Sequence, residues 1–512
     1  MSSVLVLTAS LVVASAVLLL LCTLHDYRKR KGLPYPPGPT PLPVIGNLLD
    51  IPTVESWVTY TEWEKKYGEI MSMQVLGNFI VVLQSYKAMK DLLERRGQIY
   101  SDRPVSPFFD MMELHWAIPI ARYAEQWRSG RRALDRSLRQ SAAVLYRPIQ
   151  KAKAHAFLKN LLARPEDFRE HLEHFQGAML MAITYGYDVE ERHDVHLGKA
   201  RELSDLAAST VLPGALLVND LPFLRHLPEW LPGMDFKSLA RHGRVLAEEV
   251  VNGPFNFVKE AMEKGTARPS LARESLRESQ DGSQMAERDI ATALGSLYAG
   301  GSDTTVSALS SFFLMLVLYP SVQKKAQAEL DAVTGGARLP DFDDRANLPY
   351  VDALCKELLR WRMVTPLGLP HATTEDDVYN GLFIPKGAIV LANSWAILHD
   401  SSLYPEPETF KPERFITADG RVKDDHLLNV AFGFGKRLCP GRHIVDSTLF
   451  IVVSFILATF SVSKAKDDYG YEIPVEDEYT GMQLSQPVPF KCSIVPRTEA
   501  TKGLITDVIA TE

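Results

Sequence analysis

Cysteine is scarce in this chain, with four in 512 residues and no C-x-x-C pair. That excludes a disulfide scaffold, and around Cys439 it excludes a four-thiolate zinc or iron–sulfur centre. The wide scatter of Cys355, Cys439 and Cys492 suits a reducing compartment. Excess positive charge is also missing: the net charge is −7, which argues against a nucleic-acid protein. No Rossmann or Walker glycine pattern occurs, so the chain carries no sequence signal for a nicotinamide or flavin of its own. Internal repeats are absent too.

A long uncharged run is present at the start. Val4 to Leu24 contains no charged residue, long enough to span a bilayer as a helix, and "RKRK" (Arg28 to Lys31) follows it. A cleaved signal would have its charge before a shorter run, so this order favours an uncleaved anchor with the body on the cytosolic side. We divide the chain into an anchor (1–27), a basic and proline-rich hinge (28–46), a catalytic body (47–497) and a weakly ordered tail (498–512). The prolines of "LPYPPGPTPLPVIGN" make the hinge stiff.

The body is predicted to be mainly α with small β-sheets. "EIMSMQVLGNFIVVL" (Glu69 to Leu83) has two β-rich runs split by "GN", a hairpin signal. Helical periodicity then dominates to about residue 365. The strongest case is Met285 to Pro320, apolar almost all round and therefore a core helix; Pro320 ends it and starts the next. Strand-like "FIPKGAIVLANS" follows, and a last helix begins near Cys439.

A lone cysteine in a glycine-rich, cationic loop needs a reason. In "FGFGKRLCPG", Phe432, Gly433, Gly435, Arg437, Cys439 and Gly441 surround a sulfur that backbone N–H groups and the following helix dipole would hold as a thiolate. Pro440 suits the first position of that helix. The pattern F-x-x-G-x-R-x-C-x-G resembles the haem-binding loop of the cytochrome P450 superfamily. On that resemblance Cys439 is the axial ligand of a haem b iron, and a thiolate there favours O–O cleavage. The likeness spans about residues 34–497, and it is greatest to fungal microsomal members, including mushroom hydroxylases of natural products. It implies a triangular helical prism enclosing the haem.

The resemblance gives roles to other residues that would otherwise be bland. In "AGGSDTT" (Ala299 to Thr305) the glycines would open a groove for O2, while Asp303 and Thr304 would pass protons to the bound oxygen; read alone, the stretch is a kink with threonines bonded back to the helix. Glu357 and Arg360 of "ELLR", with Arg414 of "PERF", would form a buried structural triad behind the haem loop. Trp127, Arg131, His371 and Arg437 would bind the haem propionates. "SPFFDMM" (Ser106 to Met112), Tyr298 and Ala299, "VTPLGL" (Val364 to Leu369) and "TGMQL" (Thr480 to Leu484) would line an apolar pocket for a lipophilic small molecule.

The implied activity is a monooxygenase that puts one atom of O2 into its substrate. Its electrons would come from the NADPH-dependent flavoprotein reductase of the endoplasmic reticulum, and the protein would work there as a single-pass monomer with its catalytic domain cytosolic. Arg128, Arg132, Arg136 and Arg139 would present a basic face to that acidic partner. "LPFLRHLPEWLPGM" (Leu221 to Met234) would dip into the bilayer interface at Trp230. The rivals are a reductase-independent haem-thiolate isomerase or dehydratase, and a non-catalytic haem sensor. The Asp303–Thr304 pair argues against both, because neither needs a proton relay.

Overall fold

The computed structural model describes residues 27–191, 193–210, 216–280, 286–481 and 483–506; the predicted anchor run lies outside them. Ten helices of twelve or more residues dominate this part. They are α1 (Ser56–Tyr67), α2 (Glu125–Leu138), α3 (Arg147–Ala163), α4 (Phe168–Tyr185) and α5 (Val195–Thr210), then α6 (Phe236–Glu263), α7 (Glu287–Leu318), α8 (Pro320–Thr334), α9 (Pro349–Trp361) and α10 (Arg442–Thr459).

Helix α7 runs within two residues of its predicted limits at either end. Glu287 and Asp289 stand in its first turn, at the positive end of the dipole. It stops at Leu318 because Tyr319, the residue before Pro320, has left the helical region, and Pro320 opens α8. It packs against α2, α4 and α6, so nearly every face is buried. Helix α10, equally apolar, packs on α3, α8 and α9. Both helices are long and apolar enough to cross a membrane, yet most of each lies inside the protein core.

Most of the strands form a small lobe beside the helices, while the last two pack into the helical core through Phe460, Val462 and Ile494. β1 (Ile70–Val75) and β2 (Asn78–Leu83) make the predicted hairpin; its turn is Leu76–Gly77, both at positive φ (47° and 88°), and Asn78 already belongs to β2. Further along are β3 (His371–Ala372), β4 (Asp377–Tyr379), β5 (Leu382–Ile384), β6 (Ile389–Ala392), β7 (Phe460–Lys464) and β8 (Cys492–Pro496). The main sheet has the order β1-β2-β6-β3, with β2 and β6 parallel and the other pairs antiparallel. His371 pairs with Val390 across β3 and β6, which fixes where its ring can go.

The proline-rich segment is tied to the strands by hydrogen bonds to its carbonyls. The Ser72 hydroxyl donates to Pro36 O (2.6 Å), Ser72 N–H to Pro37 O (2.8 Å) and Phe383 N–H to Pro34 O (2.8 Å). A Cβ on Gly38 would stand 1.8 Å from Ser72 O, so the hinge lies directly on the sheet. Two expectations need correction. Glu499–Thr506, placed in a weakly ordered tail, is a helix that buries Thr501 and Ile505 against α3 and α10. Pro440 precedes α10 rather than opening it, since Gly441 is the N-cap.

Candidate functional site

The Cys439 loop is a tight knot of backbone. Cys439 N–H donates to Phe432 O (2.8 Å) and Arg437 N–H to Phe434 O (3.0 Å). Gly433 and Gly435 are at φ +85° and +51°, which side chains disfavour. At Gly435 a Cβ would also meet Leu93 O at 2.4 Å, so this glycine permits contact between two stretches of protein backbone. The sulfur sits at the start of α10, where the N–H groups of Gly441 and Arg442 point at it. Burial pushes the Cys439 thiol up; those N–H groups and the charges of Arg131 and Arg442 pull the other way. A metal cation on the sulfur would tip this balance to the thiolate.

Beside the loop lies a buried cationic pocket. Arg437 donates to the carbonyls of Ser101 (2.8 Å), Ile118 (3.0 Å) and Ala121 (2.7 Å), and its guanidinium lies 4.2 Å over the Trp127 ring. Burial pushes its pKa down to about 10. Arg103, a residue the sequence analysis does not single out, is buried next to it and donates to the carbonyls of Pro119, Leu369 and Pro370. His371 Nδ1 bonds Tyr100 O (2.7 Å), so Nδ1 carries the proton and Nε2 is the free polar atom. Burial and the two guanidiniums hold this ring well below the ordinary histidine range.

This pocket wants anions. The carboxylate whose field reaches Arg103 and Arg437 is Asp102, and it is already bound to Arg122 and to the Tyr123 N–H. The Trp127 indole N–H is buried without a partner. Arg131 is mostly buried, with its Nε on both oxygens of Asp135 at 2.9 Å. An unpaired buried donor beside clustered cations fits two carboxylates that the chain itself does not supply. The propionates of a haem, ligated by Cys439, are such a pair.

The distal residues divide between two faces of α7. Thr304 Oγ1 bonds Gly300 O at 3.4 Å. Asp303 faces α5, and its carboxylate accepts from the Ser204 hydroxyl. Burial and the nearby Asp205 push the Asp303 pKa up, while Ser204, Ser302 and Arg201 oppose the shift. The two glycines have different duties. At Gly301 a Cβ would come 3.0 Å from Leu180 of α4, and Gln176 donates to its carbonyl (2.7 Å), so Gly301 serves helix packing. A Cβ at Gly300 would meet only Pro119, at 3.6 Å.

Glu357, Arg360 and Arg414 do come together. Glu357 accepts from Arg360 Nε (2.7 Å), Arg414 Nε (3.0 Å) and the Lys411 N–H (2.8 Å), and both Glu357 and Arg360 have no exposed surface. Two of the predicted pocket walls also meet: Gln483 donates to Gly368 O, and Ser485 N–H to Val364 O (2.8 Å). Ser307 of α7 anchors the second loop through Ser485 O (2.6 Å). Met482 lies outside the described residues. Phe108 and Met112 are fully buried, and Tyr298 nearly so.

Arg128, Arg132 and Arg136 share one exposed face of α2 at i, i+4 and i+8; Arg139 is exposed just beyond its end. The first two pair with Glu125 and the third with Glu278. Phe223 and Trp230 are exposed on the proline-broken segment.

A family model described as Cytochrome P450 matches residues 36–491. The chain is similar to cytochrome P450 monooxygenase COX1 of Coprinopsis cinerea, with 38% identity over 93% of this chain and 94% of the relative. It is 41% identical to cytochrome P450 monooxygenase claR of Ampulloclitocybe clavipes over 92% and 88%. It is 39% identical to cytochrome P450 monooxygenase ple1 of Rhodocybe pseudopiperita over 94% and 93%.

Proposed function

The chain belongs to the cytochrome P450 family and is a monooxygenase, and from that premise we propose that it hydroxylates a lipophilic small molecule of fungal secondary metabolism with electrons from an NADPH-dependent flavoprotein reductase. One arrangement carries this: a cysteine loop beside a pocket of buried cations that lacks its anions, with an acid–alcohol pair on the central helix.

Haem bound through Cys439 supplies O2 activation at an iron ligated by thiolate. The chain's residues do the rest. The N–H groups of Gly441 and Arg442 hold negative charge on the sulfur. Arg103, Trp127, Arg131, His371 and Arg437 would receive the propionates. Asp303 would store a proton and Thr304 would hand one on from the central helix. The walls at 106–112, 364–369 and 480–484 would keep solvent away; they are mostly apolar, and their one charged residue, Asp110, stands 3.6 Å from His115. The substrate is therefore apolar and largely uncharged. Lipid is its natural reservoir, and the exposed Phe223 and Trp230 support a membrane-facing entrance for a chain tethered through its N-terminal run.

The test is consumption of O2 that requires NADPH, added reductase and substrate together. Turnover of substrate without reductase would favour the isomerase or dehydratase alternative; haem binding with no turnover would favour a sensor.

The reductase would land on α2. Exposed ion pairs such as those of Arg128, Arg132 and Arg136 are weak, and an acidic partner displaces them readily. Arg128 also lies over the Tyr123 ring, whose hydroxyl accepts from Lys436 of the cysteine loop (2.7 Å), so this face abuts the haem site. Arg132→Glu with Arg136→Glu should slow reductase-driven reduction about tenfold at low salt and leave reduction by dithionite unchanged. Equal reductase-driven rates would remove α2 as the docking face.

A further inference from the structure

Helix α9 ends at Trp361, and the residue just beyond it, Arg362, is mostly buried. Its guanidinium carbon lies over three aromatic rings, those of Trp361 (5.2 Å), Trp395 (5.4 Å) and Tyr479 (5.5 Å). Trp395 is itself fixed, stacked at 3.4 Å and 8° on the His399 ring. Burial pulls the Arg362 pKa down, but Asp477, Glu408 and Tyr479 raise it overall. A cation caged by rings and paired with carboxylates is held in one place.

Its two acids belong to different parts of the chain. Glu408 is exposed and meets Arg362 once, at 3.3 Å; it follows Pro407, whose carbonyl accepts from Arg360 of the triad. Asp477 takes a fork: Oδ1 accepts from Nε (3.1 Å) and Oδ2 from Nη2. Such two-point pairs fix direction as well as distance.

Asp477 stands just before a narrow neck of backbone. Val488 N–H donates to Glu478 O (3.0 Å), Thr480 N–H to Gln486 O (2.9 Å), and Tyr479 bridges Pro487. The 480–484 wall hangs from this neck. On the far side Ser485 is fixed, its N–H on Val364 O and its carbonyl on Ser307 of α7. A loop tied at one side pivots; a second tie fixes its orientation. On the near side the ties are one neutral bond, from the Tyr479 hydroxyl to Ser311 Oγ (2.9 Å), and the stronger charged fork of Arg362. The backbone of Arg362 itself leads, two residues on, into the 364–369 wall. One arginine thus stands at the root of both walls.

We propose that Arg362 is a positioning residue for ligand fit: by gripping the neck at Asp477 and Tyr479, it sets how the 480–484 wall stands against the 364–369 wall. Its arm to Glu408 serves the brace behind the cysteine loop and has no part in the fit.

This role rests on the pocket given to these walls above, and the experiment separates the two. Haem-loaded full-length wild type, Arg362→Gln, Asp477→Asn, the double variant and Glu408→Gln are titrated with two ligands, read by the shift of the Soret band. Imidazole is too small to span the walls; clotrimazole carries the same ring on a bulky apolar body that must fit between them. Arg362→Gln should weaken clotrimazole about tenfold, as preorganised shape is lost, and imidazole by less than about twofold. Asp477→Asn should act in the same direction. The double variant should be no worse than Arg362→Gln alone, because one grip is lost only once. Glu408→Gln should bind both ligands as wild type does. Unchanged clotrimazole affinity in Arg362→Gln and Asp477→Asn, losses that add in the double variant, or an equal loss of imidazole overturns the positioning role. No Soret shift with either ligand in the wild type overturns the pocket reading itself.

Discussion

Glu357→Ala should be among the most damaging single changes outside the cysteine loop, costing about 3–5 kcal/mol of stability. The carboxylate has no exposed surface and is the only acid on two guanidiniums in the triad. Without it Arg360 keeps its bonds to the carbonyls of Leu398 (3.0 Å) and Pro407 (2.7 Å). Arg414 keeps Pro405, Glu406 and Thr409. Carbonyl dipoles do not neutralise two buried positive charges, so the penalty is that of an uncompensated ion. These carbonyls belong to the stretch from residue 398 to 409, and α9 also packs on His426–Phe432, which leads into the cysteine loop. The damage should therefore reach the cofactor: a lower unfolding midpoint together with a reduced haem content. Glu357→Gln, which keeps the shape and one acceptor oxygen, should fall between. An unchanged midpoint with full haem content would show that the triad braces nothing.

That triad also shows what a sequence can and cannot disclose. Glu357 and Arg360 are three apart on one helix, a spacing ordinary on protein surfaces; only the resemblance picked out Arg414 as their partner. The cysteine loop was legible because five fixed positions fall within ten residues. The limits of α7 followed from its composition and from Pro320. Arg103 and Ser204 were invisible for a common reason. An arginine before a proline and a serine on a polar helix carry no local signal, and their meaning comes from residues far along the chain. For Arg103 these are Pro119, Leu369 and Arg437; for Ser204 it is Asp303. Gly301 and Gly435 also lie where protein packs on protein, against Leu180 and Leu93 O, and those neighbours far along the chain carry no local signal. The C-terminal helix was missed because its short segment is anchored by Thr501 and Ile505 against α3 and α10, contacts that no periodicity reveals.

Cys439→Ser should abolish monooxygenase turnover while the protein stays folded. The loop's shape depends on the backbone bond from residue 439 to Phe432 O, on Gly433 and Gly435, and on the three carbonyl bonds of Arg437; a serine disturbs none of these. The loss is electronic. A serine hydroxyl ionises far less readily than a thiol, so the same N–H groups and arginines cannot make it an anionic ligand. The thiolate-type Soret band of the reduced, carbon monoxide-bound protein should vanish, with haem content lowered and circular dichroism unchanged. The other described cysteines cannot take over. Burial pushes the Cys492 thiol up to about 12 and holds Cys355 well above the ordinary range, Asp352 adding to the shift at Cys355. Cys439 is also raised by burial, but it alone of the three has helix N–H groups aimed at its sulfur and two arginines whose field favours the anion. An unaltered thiolate-type band in Cys439→Ser would therefore place the axial ligand elsewhere and remove the foundation of the proposed chemistry.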